Sequence, residues 1–296
     1  MPNRKLEGRQ VLSQPANRYV SFIRSLVDTM PPTLARSVYA LRRNSIHFEG
    51  PFESWEAASA NSTGYDADDI LSRVLEATLK VKHGEAAFER DSVLFDNIDY
   101  PWPVTAGLMW AAARSDGRLD VLDFGGSLGS SYFQHAGLLS ALADVHWNVV
   151  EQPHFTRAGR AELQDGRLRF HGSIAECMEE SNPNVILVSS VLQYLADPDP
   201  VVAELCEVGS SAVIVDKTVV NASARHRIYL QHVPASIYPA SYACRSLSES
   251  TLIANFSPTY RLECAFDSTD PPPLAQIGSR YKGFLFINTC ESVGVE

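Results

Sequence analysis

Apolar residues in the second half of the chain form short continuous runs, and segments of helical periodicity separate these runs. Short apolar runs are typical of buried parallel strands, and apolar residues three or four positions apart are typical of helices that cover a sheet. The predicted strands are 119–124, 145–151, 168–171, 185–189 and 212–216, and the predicted helices are 130–142, 155–165, 174–180 and 200–207. Strands that alternate with helices predict an α/β fold with a mostly parallel, doubly wound sheet.

Beyond Lys217 the pattern becomes less regular. The segment 225–232 is interpreted as a helix face, and 233–242, with two prolines and two tyrosines, as a structured loop over the binding crevice. Two apolar segments, 260–266 and 283–288, predict a hairpin-like pair at the edge of the sheet.

The first part of the chain predicts a mainly helical region. Apolar residues at helical spacing predict helices within residues 1–45 and over residues 70–82. The aromatic-rich segment 47–55 is predicted to be a turn, and Ser54 is predicted to cap a short helix that begins after it.

A rigid bend separates this region from the first predicted strand. Tyr100-Pro101-Trp102-Pro103 places two prolines around a tryptophan, and either covers a ligand pocket or packs on the core. A helix predicted over 105–114 leads into the strand. We therefore expect a helical cap or lid over residues 1–104 and an α/β ligand-binding domain over residues 105–296.

The strand 119–124 ends in a carboxylate that is followed directly by glycines. Glycine permits tight turns and lets a ligand approach the backbone closely, and the N-terminus of the next helix favours an anionic group. This pattern predicts a nucleotide-type binding loop. Its candidate cofactor-binding residues are Asp123, Gly125, Gly126, Ser127 and Gly129.

Polar residues also follow the ends of the next three strands. In a doubly wound sheet, the carboxyl ends of the strands face the ligand crevice. An acidic residue at the end of the second strand can accept hydrogen bonds from both hydroxyls of a ribose, whereas Ser173 suits both a helix cap and an adenine contact. The further candidate cofactor-binding residues are Glu151, Gln152, Ser173, Ser189 and Ser190.

Two kinds of nucleotide cofactor compete for this loop. A dinucleotide-binding fold requires the spacing G-x-G-x-x-G, which Gly125 to Gly129 lacks. The run from Asp123 to Gly129 instead resembles the Asp/Glu-x-Gly-x-Gly-x-Gly loop of class I S-adenosylmethionine (SAM) methyltransferases, with Ser127 in place of the middle glycine.

Further segments extend this resemblance to a bacterial family of SAM-dependent methyltransferases that is encoded among polysaccharide or specialised-metabolite genes. The similar segments are 122–129, 147–152, 184–195, 233–242 and 279–284, with 50–55, 64–66 and 89–92 in the leader. The resemblance covers about residues 46–288. It implies a Rossmann-like fold with a seven-stranded sheet, SAM as the cofactor and S-adenosylhomocysteine (SAH) as its product, and it leaves the acceptor undefined.

Methyl transfer requires the nucleophile and the methyl group in line, and a base when the nucleophile carries a proton. Histidine titrates near neutral pH, tyrosine can orient an acceptor, and arginine can bind a phosphate or carboxylate at two points. The candidate catalytic residues are His232, His226, Tyr229 and Asp216. The candidate acceptor-binding residues are Gln193, Tyr194, Arg225, Gln231, Tyr238, Tyr242 and Arg280. Each also has a structural interpretation as a surface, core or strand-end residue.

Composition narrows the class of protein. The 296 residues allow one or two domains, and the net charge of −10 argues against nucleic acid as a main partner. The five cysteines are odd in number and widely spaced, which predicts reduced, mostly buried thiols in a cytoplasmic protein and no metal site. Neither a membrane-length apolar run nor a secretory signal is recognised, so we expect no membrane partner. A homodimer is left open.

The sequence therefore predicts a SAM-dependent methyltransferase that acts on the oxygen or nitrogen of a small-molecule or sugar-type acceptor in a biosynthetic pathway, producing a natural product or polysaccharide. One alternative is an NAD(P)-dependent sugar-nucleotide oxidoreductase. Another is a SAM-fold binding protein without catalysis. Methylation of carbon also stays open.

Overall fold

The structure is a computed structural model that describes residues 46–62, 67–233, 240–268, 274 and 277–291. The helices predicted within residues 1–45 lie outside the described residues. The strands are β1 His47–Phe52, β2 Phe88–Arg90, β3 Val93–Phe95, β4 Arg118–Phe124, β5 Asp144–Val150, β6 Leu168–His171, β7 Val185–Ser189, β8 Ala212–Asn221, β9 Arg227–Val233, β10 Ala240–Ser248, β11 Tyr260–Asp267 and β12 Ser279–Asn288. The α-helices are α1 Trp55–Ala60, α2 Ala67–Lys82, α3 Trp102–Ala113, α4 Ser130–Leu139, α5 Pro153–Glu162, α6 Ile174–Glu180, α7 Asp199–Glu207 and α8 Glu249–Phe256.

Seven strands form the central part of the main sheet, in the order β6-β5-β4-β7-β8-β12-β11. The strands from β6 to β8 are parallel, and β12 is antiparallel to both β8 and β11. The expected mostly parallel, doubly wound sheet is confirmed. A dinucleotide-binding sheet has the strand order 3-2-1-4-5-6, and here an antiparallel pair takes the place of the sixth strand.

Three further strands extend the same sheet beyond β8. The last two residues of β10, Leu247 and Ser248, pair with the end of β8, and β9 and β1 follow in antiparallel order. The predictions of a turn over 47–55 and of a helix face over 225–232 are therefore wrong. β1 becomes a strand because β9, far away in the sequence, hydrogen-bonds to it, and β9 is paired on its other side with β10, the next strand of the chain.

The start of α1 agrees with its prediction. The Oγ atom of Ser54 accepts a hydrogen bond from the N–H of Ala57 at 3.1 Å, as a helix N-cap does. The predicted domain boundary at residue 104 stays a prediction, although β1, from the predicted cap region, is hydrogen-bonded into the main sheet.

The parallel strands β4, β5, β7 and β8 are buried on both faces, as parallel sheets in this class are. Helices approach the sheet closely at two glycines: a Cβ on Gly159 of α5 would lie 2.5 Å from the Phe170 ring, and one on Gly107 of α3 would lie 2.7 Å from Ile214. The side chains of α3 and α5 thus pack against β8 and β6 with little space between the backbones.

The cysteines fit their prediction in part. Cys177 and Cys244 are buried, whereas Cys264 and Cys290 are exposed. Among the described residues no cluster of histidine, cysteine or acidic side chains has an arrangement that could hold a metal ion. Within the same residues, no helix combines the length and apolar character needed to cross a membrane.

Candidate functional site

The connection from β4 to α4 is a tight loop with three residues in the left-handed region. Gly125, Ser127 and Gly129 have φ angles of 69°, 55° and 86°. The N–H of Gly125 donates to the carbonyl of Val150 at 2.8 Å, so the loop starts beside the end of β5. Ser127 is the one non-glycine residue of the three, and a left-handed conformation costs such a residue about 1–2 kcal/mol.

Packing as well as conformation requires glycine in this loop. A Cβ on Gly125 would lie 2.4 Å from a methyl group of Val191, and one on Gly126 would lie 2.5 Å from the carboxyl group of Asp123. Real Cβ atoms do not approach other atoms so closely, so a larger residue at Gly126 would displace the loop.

Asp123 supports the loop from beneath. Its side chain is 1% exposed and accepts a hydrogen bond from Nε1 of Trp147 at 2.8 Å. Burial, helped by the negative charge of Glu151, raises the pKa of Asp123 to about 7, although the hydrogen bond from Trp147 acts in the opposite direction.

Glu151 directly follows β5, beside the start of the glycine loop. Its carboxylate accepts a hydrogen bond from the backbone N–H of Gln152 at 2.5 Å. Burial raises its pKa above the ordinary value, whereas the backbone N–H groups of Gln152 and Ser127 lower it. A carboxylate has about four acceptor positions, so Glu151 keeps acceptor capacity for a ligand hydroxyl.

The other predicted cofactor residues are held by local hydrogen bonds. The Oγ atom of Ser173 accepts from the N–H of Glu176 at 3.1 Å and caps α6, as predicted. Its contact with adenine stays a prediction. Gln152 is exposed at the start of α5.

Ser189 ends β7, and Ser190 follows it in the left-handed region with a φ angle of 62°. The N–H of Ser190 donates to the carbonyl of Asp216 at 3.0 Å, and its Oγ atom accepts from Nε2 of Gln193 at 3.2 Å. Gln193 also donates to the carbonyl of Lys217 at 3.1 Å and is fully buried. These bonds fix the chain that follows β7 against the end of β8.

Two of the predicted catalytic residues make structural contacts. Asp216 is buried and accepts a hydrogen bond from the hydroxyl of Ser268 at 3.0 Å. Tyr229 is buried and its hydroxyl donates to the carbonyl of Ile277 at 3.4 Å. Their catalytic roles stay predictions.

Three other predicted residues lie near the start of α8 or in the loop before β9. Nδ1 of His226 accepts a hydrogen bond from the N–H of Ser248 at 2.9 Å. Arg280 forms an ion pair with Glu249 at 3.0 Å, and Arg225 is exposed. Since Arg280 already has a carboxylate partner, a second anion would compete with Glu249.

The structure brings three of the predicted acceptor-binding residues together. Tyr194, in a 3₁₀ turn after β7, donates to Oε1 of Gln231 on β9 at 3.3 Å, and Nε2 of Gln231 donates to the hydroxyl of Tyr242 on β10 at 3.3 Å. The two tyrosine rings meet edge-on with centroids 5.2 Å apart. We call Tyr194, Gln231 and Tyr242 the tyrosine cluster. Tyr238, also predicted here, lies outside the described residues.

Burial raises the pKa of Tyr194 well above the ordinary value of tyrosine, and the nearby charge of Asp91 contributes to the increase. The Tyr194 hydroxyl is therefore neutral at physiological pH. Since its hydrogen is donated to Gln231, its oxygen can accept a hydrogen bond from an acceptor molecule but cannot serve as the base.

His232 lies on the other face of β9 from the tyrosine cluster, since successive residues of a strand point to opposite faces. Its ring stacks on that of His47 with centroids 4.4 Å apart, and its Nε2 atom lies 3.2 Å from a carboxylate oxygen of Glu49. The structure does not bring His232 together with Gln231. Its role as a base stays a prediction.

Sequence reasoning assigned no role in the site to Glu89. Its side chain on β2 is 3% exposed, and its carboxylate accepts hydrogen bonds from the hydroxyl of Ser130, the first residue of α4, and from the N–H of Ser92 at 3.2 Å. Burial raises the pKa of Glu89 to about 7, against the hydrogen bond from Ser130. The only sequence signal was the resemblance of segment 89–92, because three-residue strands have no readable periodicity.

His135 of α4 is a second buried residue that the sequence did not indicate. It is 1% exposed, with Nδ1 at 2.8 Å from the carbonyl of Ser131 and Nε2 at 3.0 Å from the hydroxyl of Thr105. Burial lowers its pKa, so the ring is neutral, donates from Nδ1 and accepts at Nε2. These bonds join α3 to α4.

The bend at residues 100–103 packs on α4 through one of its two aromatic rings. Tyr100 lies 6.0 Å from the ring of His135, whereas Trp102 is 64% exposed. The function of this bend as a lid over the ligand pocket stays a prediction.

The chain has no match among protein-family models or among curated protein sequences. Several solved structures match this chain at low identity. A 1,6-didemethyltoxoflavin N1-methyltransferase from Burkholderia thailandensis, with 1,6-didemethyltoxoflavin and SAH bound, is 14% identical, with 77% of this chain and 93% of that chain covered and a TM-score of 0.39. A SAM-bound amino pentose methyltransferase, CalS10 of Micromonospora echinaspora, is 12% identical, with 64% and 92% covered and a TM-score of 0.41. The [4+2]-cyclase SpnF is 13% identical, with 74% and 93% covered and a TM-score of 0.45.

The strand order decides the fold class. A parallel block of five strands continues into an antiparallel β12–β11 pair. The chain has a Rossmann-like methyltransferase fold. Likenesses at these identities and TM-scores leave its activity undecided, so the functional argument rests on the side chains of the site.

Proposed function

We propose that this chain is a SAM-dependent methyltransferase. The observation that carries the proposal is the start of the glycine loop at the end of β5, where the N–H of Gly125 donates to the carbonyl of Val150 at 2.8 Å. The next residue, Glu151, is the acid placed to bind a ribose, so it lies beside the loop that is placed to bind the rest of a nucleoside cofactor.

The donors of the loop suit the carboxylate of an amino acid. Gly129 precedes α4 and offers no side-chain hydrogen bond to its first turn. The first N–H groups of a helix have no partner within the helix, and together with the helix dipole they favour an anion. The carboxylate of a cofactor's amino-acid end fits this position.

The charges of the site suit a cationic cofactor. Within the part of the chain that the structure describes, none of Glu89, Asp123 and Glu151 forms an ion pair with lysine or arginine. Carboxylates of reduced solvation without a cation favour a ligand that carries positive charge. SAM carries such charge on its sulfonium and ammonium groups.

Bound SAM would supply an electrophilic methyl group for an in-line displacement. The loop and Glu151 would hold the cofactor in one orientation, while Gly125 would keep the loop close to Val191 after β7. The tyrosine cluster would orient the acceptor, because it presents neutral hydroxyl and amide groups.

An acceptor that bears hydroxyl or amino groups, such as a sugar or another small molecule of a biosynthetic pathway, suits the neutral hydrogen-bonding groups of the tyrosine cluster. We propose methylation at oxygen or nitrogen. Removal of the proton from the acceptor is assigned, also as a proposal, to Asp216 or His226, because His232 lies on the other face of β9 from the tyrosine cluster.

A dinucleotide-dependent oxidoreductase is not favoured. The loop lacks the required glycine spacing, and an antiparallel pair occupies the edge of the sheet where that fold has its sixth parallel strand. A SAM-binding protein without catalysis would bind the cofactor equally well, and only turnover with an acceptor distinguishes it from an enzyme.

Calorimetric titration with SAM and SAH tests the proposal. We expect both to bind the unaltered chain, and we expect Gly126→Ala to abolish or strongly weaken binding, since its Cβ would collide with the Asp123 carboxyl group. Gly166→Ala is the matched control because nothing lies within 4 Å of the Cβ it adds. Absence of binding to the unaltered chain would contradict the proposal.

A further inference from the structure

A small hairpin carries Glu89 to the start of α4. Strands β2 and β3 are joined by Asp91 and Ser92, whose φ angles of 50° and 62° are both left-handed, as in the turns that suit the twist of a hairpin. Phe88 is buried and stacks on Phe95 with centroids 4.6 Å apart. The hairpin therefore holds its side chains in a defined orientation.

Glu89 lies directly beside the glycine loop. Its carboxylate accepts the hydroxyl hydrogen of Ser130, which follows Gly129, the last residue of that loop. Its other hydrogen-bond donor is the N–H of Ser92. Both donors are neutral, so the charge of the buried carboxylate is not compensated through either hydrogen bond.

A buried carboxylate is costly unless a cation or several donors stabilise it. The charged side chains that face Glu89 are Asp91, which opposes its ionisation, and Arg90, which favours it, and burial outweighs both. A positively charged group beside Glu89 would therefore be stabilised strongly.

We propose that Glu89 binds the ammonium group of the cofactor's amino-acid end. This inference rests on the proposed function. The ammonium and carboxylate groups of an α-amino acid are attached to one carbon, so their binding sites must be adjacent. The first turn of α4, which has no side-chain cap, and the Glu89 carboxylate, bonded to Ser130 of that turn, meet this requirement.

The proposal also assigns a function to the hairpin. Asp91, at its tip, is close enough to Tyr194 for its charge to raise the pKa of that residue. The hairpin thus lies near both the cofactor loop and the tyrosine cluster. By binding the ammonium group, Glu89 would fix the cofactor at the end opposite to the ribose that Glu151 binds.

Calorimetry with two ligands tests this inference. The ligands are SAH and an analogue of SAH in which hydrogen replaces the amino group. With the unaltered chain, we expect loss of the amino group to weaken binding roughly 10- to 100-fold, the scale of a hydrogen bond to a charged group.

The variant Glu89→Gln keeps the size of the side chain and its ability to accept from Ser130. We expect it to weaken SAH binding by the same factor and to change binding of the analogue by less than about twofold, since the two changes remove the same interaction. Glu85→Gln removes an equal charge from an exposed position in the preceding turn and is the matched control. Both affinities should stay unchanged in it.

Equal affinity of the unaltered chain for SAH and the analogue overturns the inference, and this comparison needs no variant to fold. An equal loss for both ligands in Glu89→Gln also overturns it, because that pattern indicates a purely structural role. If the unaltered chain binds neither SAM nor SAH, the proposed function itself fails. If SAH and the analogue both bind and either of these two results is found, only the role of Glu89 is contradicted, and the proposed function stands.

Discussion

Individual carboxyl groups set the chemistry of this site at the scale of residues. Asp123 contacts the glycine loop at Gly126 and Glu151 follows β5 at the start of that loop, and burial raises the pKa of each. Glu151 retains acceptor capacity toward a ligand, whereas Asp123 lies under Gly126 and is 1% exposed. We therefore assign cofactor contact to Glu151 and support of the loop to Asp123.

Replacement of Glu151 by alanine should weaken SAM binding by roughly 1.5–3 kcal/mol, because it removes hydrogen bonds to a charged acceptor. Calorimetry measures this change. Glu162→Ala, at an exposed position at the end of α5, is the control and should leave affinity unaltered. Unchanged affinity of Glu151→Ala would place the ribose elsewhere.

The raised pKa of Asp123 predicts a pH dependence of stability. The folded chain holds this proton up to a pH of about 7, whereas the unfolded chain releases it near 3.8, the ordinary pKa of an aspartic acid side chain. The folded state therefore binds more protons between these values, and the free energy of unfolding falls as pH rises through this window. Above about pH 7 the contribution of this group is lost.

Asp123→Asn should remove this component of the pH dependence while keeping an acceptor for Trp147. Urea denaturation between pH 4 and 8 measures the effect relative to the unaltered chain. Asp267→Asn, on exposed β11, is the control. If the two variants have the same pH dependence, Asp123 does not titrate as the structure indicates.

At the scale of elements, the extension β1-β9-β10 builds the part of the site that lies outside the central seven strands. Gln231 on β9 links the turn after β7 to β10 through two tyrosine hydroxyls. The alternation along β9 also decides that His232 faces Glu49 and His47 rather than this cluster. A shift of register by one residue would exchange their positions.

Gln231→Leu should reduce the free energy of unfolding by about 1–3 kcal/mol, because it removes the acceptor of the part-buried Tyr194 hydroxyl. Urea denaturation measures the loss. Tyr260→Phe is the control: its hydroxyl is buried without a hydrogen-bond partner among the described residues, so its removal should not reduce stability. Equal stability of Gln231→Leu and the unaltered chain would mean that the cluster does not join these elements.

At the scale of the whole molecule, ligand binding and folding are coupled. The glycine loop, Glu151 and Glu89 come from β4, β5 and β2, which meet only in the folded chain. A ligand that contacts all three binds the folded state and not the unfolded one. It must therefore raise the stability of the entire sheet.

SAH at one hundred times its dissociation constant should raise the free energy of unfolding by about 2.7 kcal/mol. Thermal and urea denaturation with and without SAH measure the difference. Gly126→Ala should show little of this increase, and Gly166→Ala should show all of it, because only the former adds a Cβ that collides with Asp123. If SAH raises the free energy of unfolding equally in both variants, the glycine loop is not part of the binding site.

The central strands and the glycine loop were determined by the sequence itself. Strands β6 and β7 and helix α6 have the predicted bounds, and β4 and β5 differ by at most one residue at an end. Buried parallel strands are continuous apolar runs, so their positions depend on composition over a few neighbouring residues. The placement of Glu151 beside the loop followed as well, since adjacent parallel strands end at one edge.

Only the tertiary structure decided the rest of the site. β1, β9 and β10 become strands through mutual pairing, which no local pattern reveals, and Glu89 reaches Ser130 through a hairpin of three-residue strands. The face on which His232 lies depends on a register set by the same distant partners. Local periodicity thus determined where the cofactor loop lies, whereas contacts between residues far apart in the chain decided which side chains surround it.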